Sequence, residues 1–237
     1  SHYHQNDIPR NENSLEMHIT PEIQAVDVLG QLALALYACH SQNIAHNDLK
    51  LENVLFDSTG RLKLGDFGLA VFLDPVTRQP TPFRQQSDAT DSPRGEPMPS
   101  FTQDDGDARY ISLDMLNERT HYREGDIFAL GMCMYEIMSG NSLPKNGQEF
   151  SDLRTTDLVS RRLHDKRTYR DPLVNIVSRM VDADPTKRPG INEILLSTIF
   201  QDIKQEILWS KSTWTTDEVS FLKTVSEIEL VSYDIRR

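Results

Sequence analysis

Only two cysteines, Cys39 and Cys133, occur in the 237 residues, each inside an apolar helical pattern with no CxxC or Cys/His spacing. Neither a disulfide framework nor a zinc site is indicated, and both read as buried thiols in a reducing compartment. Cationic side chains are also scarce: 25 Lys plus Arg against 36 Asp plus Glu leave a formal charge of −11. That balance disfavours attraction to nucleic-acid phosphates or anionic lipid, so no nucleic-acid partner is expected. Long apolar runs are missing too. The most apolar stretch, Ala25 to Cys39, is interrupted by Asp27 and Gln31 and reads as too short to span a bilayer. No signal peptide opens the chain, so membrane insertion is not expected. What remains is enough apolar sequence, 38% hydrophobic with 26% charged, for a soluble globular protein with its own core.

The first fourteen residues are polar and aperiodic and read as a ragged segment or connection. Thr20-Pro21-Glu22 gives an N-cap and a proline at the first helical position, and Ile23, Val26, Leu29, Leu32, Ala33 and Leu36 follow at spacings of three or four. This predicts a helix over about 21–41. Apolar residues on its other sides mark it as a core helix. Asn53-Val54-Leu55-Phe56 and Arg61-Leu62-Lys63-Leu64, separated by Asp57-Ser58-Thr59-Gly60, predict a β-hairpin. From Asp74 to Asp107 six of the twelve prolines and seven acids against three bases predict a long loop. Its Ser87, Thr90, Ser92 and Thr102 lie near acids and prolines, a pattern of modification sites that polar loops also show by composition alone. Helical patterns return at roughly 125–139, 153–163, 173–181 and 191–203. The tail from residue 201 to 237 carries an amphipathic pattern in Val219, Leu222, Val225 and Ile228, with Trp209 and Trp214 as packing anchors.

The stretch that carries chemistry is Ala45-His46-Asn47-Asp48-Leu49-Lys50-Leu51-Glu52-Asn53, then the hairpin, then Gly65-Asp66-Phe67-Gly68. Taken singly, Asp48 reads as a turn aspartate and Lys50 as a solvated surface lysine. Their joint spacing matches the catalytic and metal-binding segments of protein kinases. Further landmarks follow in order: Asp126-Ile127-Phe128-Ala129-Leu130-Gly131 and Asp184-Pro185-Thr186-Lys187-Arg188-Pro189. The chain resembles the protein kinase superfamily from about residue 14 to 200.

That resemblance implies a mainly α fold of the α+β type: a kinase C-terminal lobe over 15–200 with a small hairpin, residues 74–107 as a long activation-segment insert, and a tail over 201–237. It also implies roles. Asp48 would orient a substrate hydroxyl and take its proton. Lys50 would place a positive charge on the transferring phosphate. Asn53 and Asp66 would supply oxygens to Mg2+, a hard cation that needs few protein ligands when phosphates and water complete its shell. ATP and Mg2+ are the implied cofactors. Asp126 corresponds to the aspartate that holds the catalytic-loop backbone, and Arg188 to the buried arginine paired with the acid ending the activation segment. That acid is Asp114, in Ser112-Leu113-Asp114 where most kinases carry Ala-Pro-Glu.

Asn47 stands where most kinases place an arginine that binds activation-loop phosphate, so phosphorylation of that loop is expected to be dispensable. Gly106-Asp107-Ala108-Arg109-Tyr110 replaces the usual Gly-Thr before the aromatic. With Leu143-Pro144-Lys145-Asn146-Gly147, these features resemble the Wee/Myt family of mitotic-inhibitor kinases, which phosphorylate cyclin-dependent kinases despite a Ser/Thr-type catalytic loop. The implied partner is therefore a protein substrate, a cyclin-dependent kinase, inside the cell in nucleus or cytoplasm. The Gly-rich loop, strand lysine and helix glutamate of the β-rich small lobe are not found in the chain, so the N-terminal lobe is expected to be absent from it. A truncated scaffold without catalysis and a Ser/Thr kinase of another subfamily are the alternative readings.

Overall fold

A computed structural model describes residues 21–58, 60–81 and 106–200. The expectations for the first twenty residues, including Thr20 as N-cap, for residues 82–105 with the four Ser and Thr sites, and for the tail lie outside the described residues.

Helix α1 spans Pro21–Ser41, as its apolar spacing predicts, and buries Leu29, Leu32, Ala33 and Leu36. It packs on the long helix α3, Tyr122–Ser139, on the short helix α7, Ile191–Leu195, and on strand β3, Leu62–Leu64. At 21 residues α1 is long and apolar enough to cross a membrane, which corrects the expectation that the stretch is too short. That expectation weighed Ala25–Cys39 alone, whereas the helix predicted over about 21–41 is longer. Even so, its inner face lies in the protein core. The two polar residues that interrupt it are used for packing: Gln31 Nε2 donates to Asp27 Oδ2 (3.0 Å), and Gln31 Oε1 accepts the Leu62 N–H (2.8 Å).

Strand β2, Val54–Phe56, pairs antiparallel with β3 in the register Val54↔Leu64, Leu55↔Lys63 and Phe56↔Leu62. At the predicted turn, Asp57 Oδ1 accepts the Arg61 N–H (3.0 Å), and Gly60 takes φ +84, a left-handed value that glycine adopts without strain. A second antiparallel pair was not expected: β1, Ile44–Ala45, joins β4, Val71–Phe72. Two-residue strands are too short to show alternation in sequence.

The second half is helical as expected, with changed boundaries. Helix α2, Leu113–Asn117, buries no residue and gave no apolar signal. The helix expected over 153–163 is two helices, α4 (Gly147–Thr155) and α5 (Leu158–Lys166), broken where Thr156 turns to φ −129 and ψ 178. Helix α6 spans Asp171–Met180 with proline near its start. The helix expected over 191–203 stops at Leu195, and a new helical stretch begins at Thr198. Helices α1, α3, α5, α6 and α7 share one apolar core. Gly131 permits the closest approach in it: a Cβ there would lie 2.7 Å from Val181 Cγ1 and 2.9 Å from Met180 Cβ, so α3 and α6 could not pack at this distance with any larger residue.

Candidate functional site

The segment between β1 and β2 has almost no regular structure of its own, so side chains hold it. Asp126, in the second turn of α3 and 1% exposed, accepts the backbone N–H of His46 at Oδ2 and of Asn47 at Oδ1, both at 2.8 Å. His40 Nε2, from the end of α1, also meets Asp126 Oδ2 at 2.8 Å. One buried carboxylate thus joins α1, α3 and the loop, matching the expected role of Asp126. Asn47 then takes φ +62, and its Nδ2 donates to Leu69 O (3.1 Å).

His46 is fully buried. It accepts the Asp48 N–H at Nδ1 (3.3 Å), so the proton sits on Nε2, which donates to Gly65 O (3.0 Å). Its ring meets Phe67 edge-on, with centroids 4.8 Å apart. Through His46 the segment bearing Asp48 is fixed against the one bearing Asp66.

Asp48, Lys50 and Asn53 come together. Asp48 Oδ2 accepts from Lys50 Nζ and from Asn53 Nδ2, both at 2.8 Å, and Asn53 Nδ2 also donates to the Asp48 carbonyl (2.7 Å). A 3-10 turn over Leu51–Asn53 folds Asn53 back to this position. The Asp48 and Lys50 side chains are 9% and 21% exposed. Asp48 Oδ1 has no hydrogen-bond partner among the described residues, and a Cβ on Gly106 would lie 3.9 Å from it. Both Asn53 partners are acceptors, so the amide NH2 must face Asp48 and Asn53 Oδ1 is left for another ligand.

Asp66 is not hydrogen-bonded to these three residues. It follows Gly65, whose N–H donates to Asn53 O (2.9 Å), and takes φ +57 with an exposed carboxylate that accepts the Gly68 N–H (3.2 Å). No group of three or more His, Cys, Asp or Glu able to hold a metal occurs among the described residues. The donor set is therefore Asn53 Oδ1 and the Asp66 carboxylate, two hard oxygens, which fits Mg2+ completed by phosphate and water and fits no all-protein metal cage.

An open cleft of about 560 Å3 lies over this cluster, lined by Asp48, Lys50, Leu69, Gly106–Arg109 and Lys145. Its wall was only partly legible. Arg109 donates to Asp107 Oδ2 (2.5 Å) and Glu52 Oε1 (2.7 Å), and so ties the wall to the turn bearing Lys50 and Asn53. Hydrogen bonds from Arg109 hold the Asp107 carboxyl below its ordinary range, while the two carboxylates push the Arg109 guanidinium up. Tyr110 OH reaches Glu136 Oε2 (2.5 Å), and burial first, then this bond, raises the phenol.

Sequence reasoning missed Arg154 altogether. The side chain is 1% exposed and donates to the carbonyls of Ala108 (2.8 Å), Arg109 (2.7 Å), Ile111 (3.0 Å) and Phe150 (2.9 Å), with Phe150 stacked 3.6 Å from its guanidinium carbon. Burial lowers its pKa to about 10, still well above neutrality. In sequence it looks like a polar residue on an amphipathic helix. Arg188 was legible: Nη2 meets Asp114 Oδ1 at 2.5 Å and Nη1 meets Oδ2 at 3.3 Å, with side-chain exposures of 1% and 9%. The shorter acid pairs fully.

Residues 5–200 match the family model described as the protein kinase domain. The chain belongs to the protein kinase family. It is 30% identical over 181 residues to a Wee1-like protein kinase of Oryza sativa subsp. japonica, covering 76% of this chain and 29% of that protein. A Wee1-like protein kinase of Arabidopsis thaliana is 29% identical over 184 residues, covering 77% and 31%. Similarity extends beyond that group: a 3-phosphoinositide-dependent protein kinase B of Dictyostelium discoideum is 32% identical over 184 residues, covering 76% and 17%. The chain spans 17% to 31% of the length of these curated relatives.

Proposed function

We propose that the protein transfers the γ-phosphate of ATP to a protein hydroxyl, with residues 15–200 as a kinase C-terminal lobe and 201–237 as a tail. The observation that carries this is the Asp48 carboxylate. One oxygen is fixed by Lys50 and Asn53, the other has no hydrogen-bond partner among the described residues, and Asp48 lines the cleft. A carboxylate held in this way orients an incoming hydroxyl and accepts its proton at Oδ1. Lys50 is the cation of the site and offsets phosphate charge. Asn53 Oδ1 and Asp66 would hold Mg2+, which would neutralise charge developing on phosphate oxygens.

The substrate class is a cyclin-dependent kinase. Three features support it together: Asn47 before Asp48, the Gly106-Asp107-x-Arg109 run, and similarity to relatives named as Wee1-like. A further relative, 27% identical over 180 residues, is named as a membrane-associated tyrosine- and threonine-specific cdc2-inhibitory kinase of Caenorhabditis elegans. Action would then lie in nucleus or cytoplasm.

The test is a phosphorylation assay with the native full-length protein, Mg-ATP and a cyclin-dependent kinase complex, beside an Asp48→Asn variant. Loss of about 10²–10⁴-fold in rate with nucleotide binding retained is expected. Equal cellular activity of the two forms, with no transfer in the assay, would instead establish a non-catalytic scaffold.

A further inference from the structure

The cleft over Asp48 contains five charged side chains: Asp48, Lys50, Asp107, Arg109 and Lys145. Four of them are spent within the protein. Lys50 is held by Asp48 at 2.8 Å. Arg109 lies against Asp107 and also against Glu52, the acid next to Asn53. Asp107 and Glu52, the described carboxylates that flank Arg109, both meet its guanidinium. Lys145 is the remaining charge. It is exposed, follows the buried Leu143 in the connection from α3 to α4, and has no ion-pair or hydrogen-bond partner among the described residues. In a chain of formal charge −11, Lys145 stands beside the candidate acceptor site as a cation without a partner among the described residues.

We infer that this cleft selects substrates carrying an acidic residue near the acceptor hydroxyl, with Lys145 as the specificity-determining cation and Arg109 as the residue that removes the competing preference for basic substrates. The inference rests on the phosphoryl-transfer reading and adds to it the chemistry of the substrate segment. An acid near the acceptor would pair with the Lys145 ammonium at the cleft rim. A basic residue would meet Lys145 as a like charge and find Asp107 and Glu52 already occupied.

The experiment uses the native full-length protein with Mg-ATP and two peptide sets, one with a tyrosine and one with a serine acceptor. Glu, Ala or Lys is placed at each position within four residues of the acceptor, and kcat/KM is measured. An exposed ion pair of this kind is worth a few-fold, so about a fivefold advantage of Glu over Lys at one or two positions is expected. It should shrink as salt is raised. A Lys145→Glu variant, which changes an exposed residue and so should not disturb folding, should reverse the Glu to Lys ratio at those positions. Transfer with no charge preference, or with an acidic preference that Lys145→Glu leaves intact, overturns the inference while the transfer reading stands. Absence of transfer to every peptide, and to an intact cyclin-dependent kinase run alongside, overturns the transfer reading and the inference with it.

Discussion

Asp126 shows how much one residue can hold. Its two oxygens take three donors from His40, His46 and Asn47 while almost no water reaches it. Replacing Asp126 with Asn puts an NH2 group where a backbone N–H must be accepted, leaving a buried donor facing a donor. Such a loss costs about 2–4 kcal/mol. At about 2–4 °C per kcal/mol for a domain of this size, thermal denaturation should show a Tm lowered by roughly 4–16 °C. An unchanged Tm would mean the loop is held by other contacts. Arg109 gives a prediction of pH dependence. Its hydrogen bonds depress the folded-state pKa of Asp107 below the ordinary 3.8. For Glu52, burial acts upward, but the hydrogen bond from its own backbone and those from Arg109 outweigh it, and the net shift from 4.5 is also downward. Stability from a depressed carboxyl is present above its unfolded pKa and is lost as pH falls through the lower folded value. The Tm difference between the wild type and an Arg109→Met variant should therefore stay constant from pH 7 to 5 and narrow below about pH 4. A difference that instead narrowed above pH 5 would place the effect on another group.

At the scale of elements, three arginines fasten the segment from Asp107 to Asn117. Arg109 binds it to Glu52, Arg154 takes the carbonyls of Ala108, Arg109 and Ile111 from α4, and Arg188 grips Asp114. None of these contacts uses phosphate, and Asn47 spends its amide on Leu69 O rather than on a loop anion. Phosphatase treatment of the native protein should leave phosphotransfer within about twofold, whereas Arg154→Met, which leaves a buried helix position without its cation and four part-buried carbonyls without their donor, should destabilise by about 3 kcal/mol. Activity abolished by phosphatase would show that these arginines do not suffice. The same elements show where sequence is informative. Helices α1, α3 and α6 were legible because apolar residues at spacings of three and four must face a core. The hairpin was legible from its turn residues, and Asp48, Lys50, Asn53, Asp126 and Arg188 from spacing shared with a family. Arg154 was not, because a charged residue on a helix looks the same whether it points to water or to carbonyls more than forty residues away in the chain. The break at Thr156–Asp157 was read through because no glycine or proline marks it between the apolar residues Leu153 and Leu158.

Across the molecule, stability is concentrated in the helices and thin at the site. Helices α1 and α3 face each other with Leu29, Leu32, Leu36, Phe128, Leu130 and Met132 almost fully buried, each worth about 1.5–3 kcal/mol relative to exposure. The β2–β3 hairpin rests on a narrow contact through partly buried Val54, Leu62 and Leu64, while Leu55 and Phe56 are 57% and 75% exposed. The residues proposed for chemistry are thus hung on a rigid helical base at Asp126 and carried outward on a weakly packed ribbon. Native-state hydrogen exchange should report this gradient. Amides in the middle of α1 and α3 should exchange only through global unfolding, with protection close to the full stability, and those of Val54–Phe56 and Leu62–Leu64 through local opening several kcal/mol lower. Because the Gly65 amide donates to Asn53 O and Gly65 O accepts from His46, opening of the hairpin should also loosen the segment carrying Asp66. A ligand that binds Asn53 and Asp66 together closes that route, so adding Mg-ATP should slow exchange at Leu62–Gly65 while leaving the α1 and α3 amides unchanged. Equal protection of hairpin and helices without ligand would show that the ribbon is held by contacts other than those described.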